Sequence, residues 1–357
     1  MAPFSGIRQP DEPLAAVFRR LIANLGPITL QHYMGEANAR YYASKDPLGT
    51  TGDFITAPEI SQMFGELIGL WLADMWIRAG RPGPVHYVEL GPGRGTLARD
   101  ALRSMKRCGL DTQVHFIEAS PALQAVQVAA VPEAQWHADL SSVPLQGPVL
   151  IVGNEFLDAL PVRQMVKTPQ GWRERMVDFR EGEGFVAIAG DRPMDAAAPP
   201  EFEDCAEGTL IETNPGAAAV IYEIADRLAS QGGAALLIDY GYAQPQTGST
   251  LQAVRAHAKV DPFEAPGEAD LTCLVDFAMA ADIARSRDVR HLGTVTQGDW
   301  LRALGIEVRA KALADIAPHH ASAIVSAKNR LIDGDQMGEL FKVMGLAAPG
   351  WPDGGGF

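Results

Sequence analysis

Apolar residues along this chain recur with two periods, and the change from one to the other outlines the fold. Leu14, Val17, Phe18, Leu21 and Ile22 fall at helical spacing within residues 11–25. Ile60, Phe64, Leu67, Ile68, Trp71 and Met75 repeat that period more strongly within 58–77. The stretch from Tyr41-Tyr42 to Ile55, rich in Gly, Thr and Asp, reads as loop. Further along, short apolar runs alternate with helical stretches. Strands are expected at 85–90, 114–118, 135–137, 149–153 and 234–239, and helices at 97–108, 121–130 and 216–230. Such alternation with short connections predicts an α/β fold with a mostly parallel, doubly wound sheet, preceded by a helical N-terminal cap over 1–80.

Two stretches interrupt this core, which spans 81–349. Residues 162–166 and 173–179 alternate like hairpin strands and 182–200 is rich in turn residues, so 160–207 is expected to be an antiparallel insertion. Residues 240–274 carry glycines and prolines without a long period, and a loop lying over a ligand is expected there. A helix at 275–285, a strand at 289–295 and helices at 297–304 and 312–331 follow, and 340–346 is expected to close the sheet. The tail, 350–357, reads as disordered.

The first strand ends in Glu89-Leu90-Gly91-Pro92-Gly93-Arg94-Gly95-Thr96, with glycines on alternate positions before a helix. Strand, glycine turn and helix let main-chain N–H groups approach a ligand at the carboxyl edge of a parallel sheet. A dinucleotide fingerprint spaces its glycines as G-x-G-x-x-G and faces a pyrophosphate. Here the third position of that fingerprint is Thr96, and Glu89 would repel a phosphate. A carboxylate suits S-adenosyl-L-methionine (SAM), which has no phosphate and carries an ammonium and a sulfonium. SAM is therefore the expected cofactor; a nucleotide site and a purely structural turn are the alternatives.

Charge and composition narrow the field further. The 357 residues carry a net charge of −14 and 47% apolar residues, enough for a sizeable core. No cluster of lysines and arginines stands ready to neutralise phosphates, which argues against a nucleic-acid binder. Cys108, Cys205 and Cys273 lie far apart, and the histidines show no ligand spacing, so neither a metal site nor a disulfide framework is expected. No apolar run is long enough for a bilayer, and Met1 to Glu12 shows neither a signal-peptide core nor a transit pattern. The expectation is a soluble protein without an address label.

Further candidates lie at strand ends. Glu118, about 20 residues past the glycine turn, fits a ribose-binding carboxylate, or else it caps the helix beginning at Pro121. His137-Ala138-Asp139-Leu140 sits where an adenine amino group would be read, which makes Asp139 a weaker candidate. The fourth strand runs into Asn154-Glu155-Phe156-Leu157-Asp158. Glu155 and Asp158 could face one pocket and hold a guanidinium against a cationic sulfonium; alternatively Asp158 caps a short helix and Glu155 orders the loop. Thr50, Thr51 and Asp53 could cap the helix near Pro58 or reach the methionine moiety, and Tyr240 and Tyr242 could line a channel or pack.

Taken together, Gly52–Glu66, Glu89–Leu97, Asn154–Val162, Asp239–Tyr242, Asp270–Thr272 with Val275–Phe277, and Gln336–Val343 resemble the MidA-like family of SAM-dependent methyltransferases. That family includes a mitochondrial complex I assembly factor. The resemblance covers nearly the whole chain and implies a class I (Rossmann-like) methyltransferase fold. It implies symmetric dimethylation of a protein arginine on a hydrogenase-like core subunit of respiratory complex I, assisting assembly, with Glu155 matching the glutamate that grips the guanidinium. Asn154 enters the cofactor set beside Glu89, Gly91, Gly93, Gly95, Glu118 and Asp139. One departure is Leu274, where the family pattern leads one to expect histidine. A bacterial member acting in the cytoplasm is expected; homodimerisation stays open. The rival readings are a non-catalytic assembly chaperone and a small-molecule methyltransferase.

Overall fold

Strands that are apolar on both faces need helices on both sides, and the larger sheet of this protein meets that demand. The computed structural model describes residues 12–44, 55–256 and 258–357. The chain divides into two units, one comprising Asp46–Ala159, Gly216–Gln246 and Leu274–Phe357, the other Met1–Lys45, Leu160–Pro215 and Thr247–Cys273.

The first of these units carries the doubly wound sheet. Its main strands in chain order are β1 (His86–Leu90), β2 (Gln113–Ile117), β3 (Gln135–His137), β4 (Val149–Asn154), β5 (Gly233–Tyr242), β6 (Arg290–Thr296) and β7 (Phe341–Ala347), and the two-residue strand Val275–Asp276 pairs parallel with the end of β5. They lie side by side as β3-β2-β1-β4-β5-β7-β6. β1 to β5 are parallel, and β7 runs antiparallel to both β5 and β6. Strands β2 and β3 extend the sheet to one side of β1, while β4 lies on the other, so the order reverses between β1 and β4. Ligands of open α/β sheets bind at such a reversal, outside the carboxyl ends of the strands.

The helix expected over 58–77 is broken at Ser61, whose extended backbone ends the short turn Ala57–Ile60. Ser61 then caps α1 (Gln62–Arg78), its Oγ accepting from Met63 N at 3.2 Å. α1 lies against α2 (Thr96–Arg107) so closely that a Cβ on Gly69 would stand 2.3 Å from the Ala101 carbonyl oxygen. Their apolar faces, with Phe64, Ile68, Leu97 and Met105, share one core with Tyr87 and Phe116 of the sheet. The tail is ordered, against expectation. Trp71 Nε1 donates to Gly355 O at 3.0 Å, and the Phe357 ring stacks edge-on against Trp71.

The other unit is built on an antiparallel sheet of Ile28–Thr29, Arg163–Thr168, Gly171–Arg180, Gly184–Pro193 and Leu210–Thr213. Its helices Leu14–Leu25 and Leu30–Ser44 contribute Phe18 and Tyr33 to a core with Val177 and Phe185. The first eighty residues therefore do not form one cap but are shared between the units. Tyr41 and Tyr42 are helical rather than loop. The stretch expected as a featureless loop over 240–274 contains a three-stranded antiparallel sheet, Gln252–Arg255, Ala258–Val260 and Asp270–Thr272. There the buried Asn38 amide pairs with both the N–H and the carbonyl of Leu271, at 3.0 and 2.8 Å. Among the described residues no helix is long and apolar enough to cross a membrane.

Residues far apart in sequence meet across β1, β2 and β3 in a way the spacing did not reveal. His86 Nδ1 lies 2.9 Å from His115 Nε2, and His115 Nδ1 lies 2.9 Å from His137 Nε2. The outer ring continues to Ser142 Oγ at 2.8 Å, and the inner ring reaches the Gln146 carbonyl at 2.7 Å. A carbonyl can only accept, so when all three rings are neutral His86 carries its proton on Nε2, and the same tautomer follows for His115 and His137. Burial, then His86 and His137, pushes His115 down to about 4. His137 is lowered by burial, with Asp139 opposing and Arg227 of the 215–231 helix reinforcing the shift. A histidine that stays neutral when folded but titrates near pH 6.5 when unfolded opposes folding increasingly as pH falls from about 6.5 toward about 4. In an NMR titration of the folded protein one imidazole should remain neutral down to about pH 4; if all rings titrated near pH 6.5, the ladder would not exist.

Candidate active site

The turn after β1 is left-handed at three alternate positions, Gly91, Gly93 and Gly95, with φ of +58°, +54° and +77°. Glycine enters that region without the Cβ clash that other residues meet. Gly91 has a second constraint, because a Cβ there would come within 2.8 Å of the Phe156 ring. Gly91 N donates to Ile117 O at 3.0 Å and Gly95 N to Pro92 O at 2.8 Å, which fixes the turn between β2 and the start of α2. Thr96, which occupies the third-glycine position of a dinucleotide site, donates its hydroxyl to Glu59 Oε1 at 2.5 Å.

Glu118 follows β2 and is held from two sides. Its Oε1 accepts from Ser120 N at 2.8 Å, beside the cap of α3 (Pro121–Ala130), and its Oε2 accepts from Gln127 Nε2 at 3.2 Å. Gln127 also donates to Gly93 O at 2.8 Å and accepts from Trp136 Nε1 at 2.8 Å. This buried amide thus joins the glycine turn, the Glu118 carboxylate and β3. Burial raises the Glu118 carboxyl, while the Ser120 N–H and Gln127 pull it back. Gln127 escaped the sequence reading, although a glutamine at helical spacing between Leu123 and Ala130 was its signal.

The other two acids expected beside the cofactor differ sharply. Glu89 is 3% exposed and accepts the Tyr87 hydroxyl at 2.5 Å; burial pushes its carboxyl up to about 8. A cation brought next to it would favour the ionised form. Asp139 is exposed and caps the turn Leu140–Ser142, accepting Ser141 N at 3.0 Å and Ser141 Oγ at 2.5 Å; those bonds lower its carboxyl. Its Oδ1 is the oxygen engaged in that local cap.

At the reversal point, Leu90 of β1 pairs with Gly153 of β4. The glycine turn and Asn154-Glu155 therefore leave the sheet side by side. Glu155 has φ +50°, a left-handed conformation that costs a non-glycine residue about 1–2 kcal/mol. Its N–H continues the strand pairing, donating to Ile238 O at 2.9 Å. Its Oε1 accepts from Ala57 N at 3.2 Å and Asn154 Nδ2 at 3.1 Å. Among the described residues the buried Asn154 Oδ1 has no hydrogen-bond partner.

Beneath this turn lies Asp239, at the carboxyl end of β5 and 1% exposed. Its Oδ2 accepts from Phe156, Leu157 and Asp158 N–H at 3.1, 2.9 and 3.3 Å, and its Oδ1 from Tyr240 N at 2.9 Å. Burial and then the Glu155 charge raise its carboxyl to about 8. Asp158 is 5% exposed and no helix begins at it, so it is not a cap. Tyr240 packs on Phe341 with centroids 4.0 Å apart, and burial followed by the charges of Glu155, Asp158 and Asp239 raises its hydroxyl. Residues Thr50, Thr51 and Asp53 lie outside the described residues.

These features fit SAM. The unpartnered Asn154 Oδ1 is an acceptor suited to an ammonium, the turn has no side chains at Gly91 and Gly93, and Glu118 offers a carboxylate suited to ribose hydroxyls. Residues 67–295 match a family described as "Putative S-adenosyl-L-methionine-dependent methyltransferase". The chain is 36% identical to protein arginine methyltransferase NDUFAF7, mitochondrial, of Xenopus tropicalis, over 90% of this chain and 82% of that protein. It is 34% identical to the Homo sapiens protein of that name, over 96% of this chain and 86% of the relative. A Burkholderia thailandensis crystal structure bound to S-adenosyl-homocysteine is 28% identical, with a TM-score of 0.81 covering 95% of this chain and 92% of that one. The strand order and this likeness establish the class I methyltransferase fold.

Replacing Gly91 by alanine forces a Cβ into the left-handed region and against Phe156. Titration calorimetry with S-adenosyl-homocysteine should then show affinity weakened about tenfold or more, or about 1.4 kcal/mol. Unchanged affinity in a folded Gly91→Ala protein would separate the turn from the cofactor.

Proposed function

The chain belongs to this family of SAM-dependent methyltransferases, and from that premise we propose that its acceptor is an arginine side chain of a protein, the activity named in its curated relatives. The observation that carries the proposal is the turn after β4. Glu155 and Asp158 sit three residues apart beside the glycine turn, where substrate and cofactor meet in a doubly wound sheet.

When bound, SAM supplies an electrophilic methyl group on a cationic sulfur. A guanidinium is itself cationic, with a pKa above about 12, so it is both repelled and a poor nucleophile. Unit charges about 4 Å apart at an effective dielectric of about 20 interact by about 4 kcal/mol. Glu155 and Asp158 offset that repulsion. By accepting N–H bonds at one guanidinium nitrogen, Glu155 localises charge there and leaves more electron density on the other. Alignment contributes the larger share, for which about 7–11 kcal/mol is available in well-oriented reactions. Glu89 and Glu118 hold the cofactor's cationic and ribose ends, and Asn154 Oδ1 takes its ammonium.

The finer reading is symmetric dimethylation of an arginine on a hydrogenase-like core subunit of complex I. It is supported by the family resemblance and by the relatives' names rather than by any contact in the structure. Those relatives are mitochondrial by name, which does not support the cytoplasmic placement expected of a bacterial member.

The test is incubation of the purified protein with methyl-labelled SAM and the recombinant core subunit, followed by mass spectrometry of arginine-containing peptides. The wild type should yield methylarginine, and Glu155→Gln should lower the rate by about a hundredfold or more while S-adenosyl-homocysteine still binds. Absence of label on any arginine, with cofactor bound normally, would overturn the arginine assignment. A Glu155→Gln protein that still supports complex I assembly in cells would favour a chaperone role.

A further inference from the structure

Glu155 occupies a backbone conformation that its own side chain disfavours, and something must hold it there. Its N–H is fixed by the Ile238 carbonyl at 2.9 Å. The next residue of β5, Asp239, holds the other side of the turn, because Oδ2 gathers the N–H groups of Phe156, Leu157 and Asp158 at 3.1, 2.9 and 3.3 Å. Three successive N–H groups converging on one oxygen curl residues 156–158 around it. The main chain must then turn back at Glu155, and φ +50° is the conformation it adopts. The second oxygen is occupied as well, by Tyr240 N at 2.9 Å. Being 1% exposed, Asp239 has no route to substrate.

We propose that Asp239 is a positioning residue for methyl transfer: by binding the 156–158 N–H groups it clamps Glu155 in its left-handed conformation and aims that carboxylate at the acceptor. This deepens the reading of Glu155 given above and rests on it. Asparagine in place of Asp239 has almost the same shape, but one of its two ends is an NH2 group. Each end of Asp239 receives at least one N–H, so the amide sets donor against donor wherever it is placed. The turn should relax out of the left-handed region and carry Glu155 with it. A displacement of about 1 Å at a positioning group can cost about a hundredfold in rate.

In the labelled-SAM assay, Asp239→Asn should therefore lower kcat by about a hundredfold, with melting temperature close to wild type and S-adenosyl-homocysteine affinity within about threefold (about 0.65 kcal/mol). In a Glu155→Gln background the same change should add less than about threefold, because residues acting through one group are not additive. Three outcomes would overturn the proposal: kcat kept within about threefold in the single variant, full additivity in the double variant, or cofactor affinity falling in step with kcat. Should Asp239→Asn fail to fold, hydrogen exchange on the wild type decides. The amides of Phe156, Leu157 and Asp158 should exchange far more slowly than exposed loop amides, and exchange at loop rates would mean that no clamp exists. That measurement needs no substrate, so it stands even if the arginine assignment fails in the wild-type assay.

Discussion

The parallel pairing of β1 with β4 is the constraint on which the site depends. Leu90 and Gly153 are register partners, so the glycine turn and the acidic turn leave the sheet at the same level and on neighbouring strands. Neither turn would make a site alone. The first leaves bare main chain at Gly91 and Gly93, and the second carries the carboxylates that the proposed function assigns to an acceptor. Their adjacency follows from the reversal of strand order, with β2 and β3 added on one side of β1 and β4 on the other. Gly91 lies so near Phe156 that the two turns pack as one surface.

Side chains that support this arrangement are buried and polar, and each is tied to more than one element. Gln127 joins the turn, the strand-end acid and Trp136. Asp239 joins β5 to the turn after β4. Low local dielectric strengthens such bonds and makes any lost partner expensive. The carboxyls of Glu89 and Asp239 are both pushed up by burial, which disfavours their negative charge. A cationic ligand restores that charge where it is useful.

Much of this was legible from residue patterns, and what was not has identifiable causes. Apolar runs located the strands of the sheet and alternation located the hairpin of the other unit, because burial on both faces leaves a continuous run and burial on one face leaves a period of two. Such patterning missed the break at Ser61, where a cap interrupts a continuous apolar stripe without changing it. It missed the small sheet within 247–273, whose strands of three or four residues are too short to establish alternation. The tail was misread because Gly354, Gly355 and Gly356 suggest freedom, whereas the terminal Phe357 packs against Trp71 and Trp300. Motif reasoning singled out Glu155 and the glycines through their spacing, and the structure gives the glycine turn its left-handed conformation. Asp239 was noticed at a strand end without its role, since contacts to the 156–158 backbone leave no trace in local pattern.

The histidine ladder has a consequence for how this protein meets acid. Its inner terminus is a carbonyl, so the row of rings has a single polarity and one open end, at Ser142. One additional proton can be housed without breaking a link, because Ser142 Oγ can switch from donating to accepting and the tautomers can reverse ring by ring. A second proton has nowhere to go except between two donors, which would push neighbouring strands apart. β3, at the rim of the sheet and only three residues long, has the fewest other bonds to resist that separation. Acidification should thus unzip the sheet from the β3 edge inward, loosening Glu118, whose N–H is held by the His137 carbonyl, before it disturbs β4 and the acidic turn.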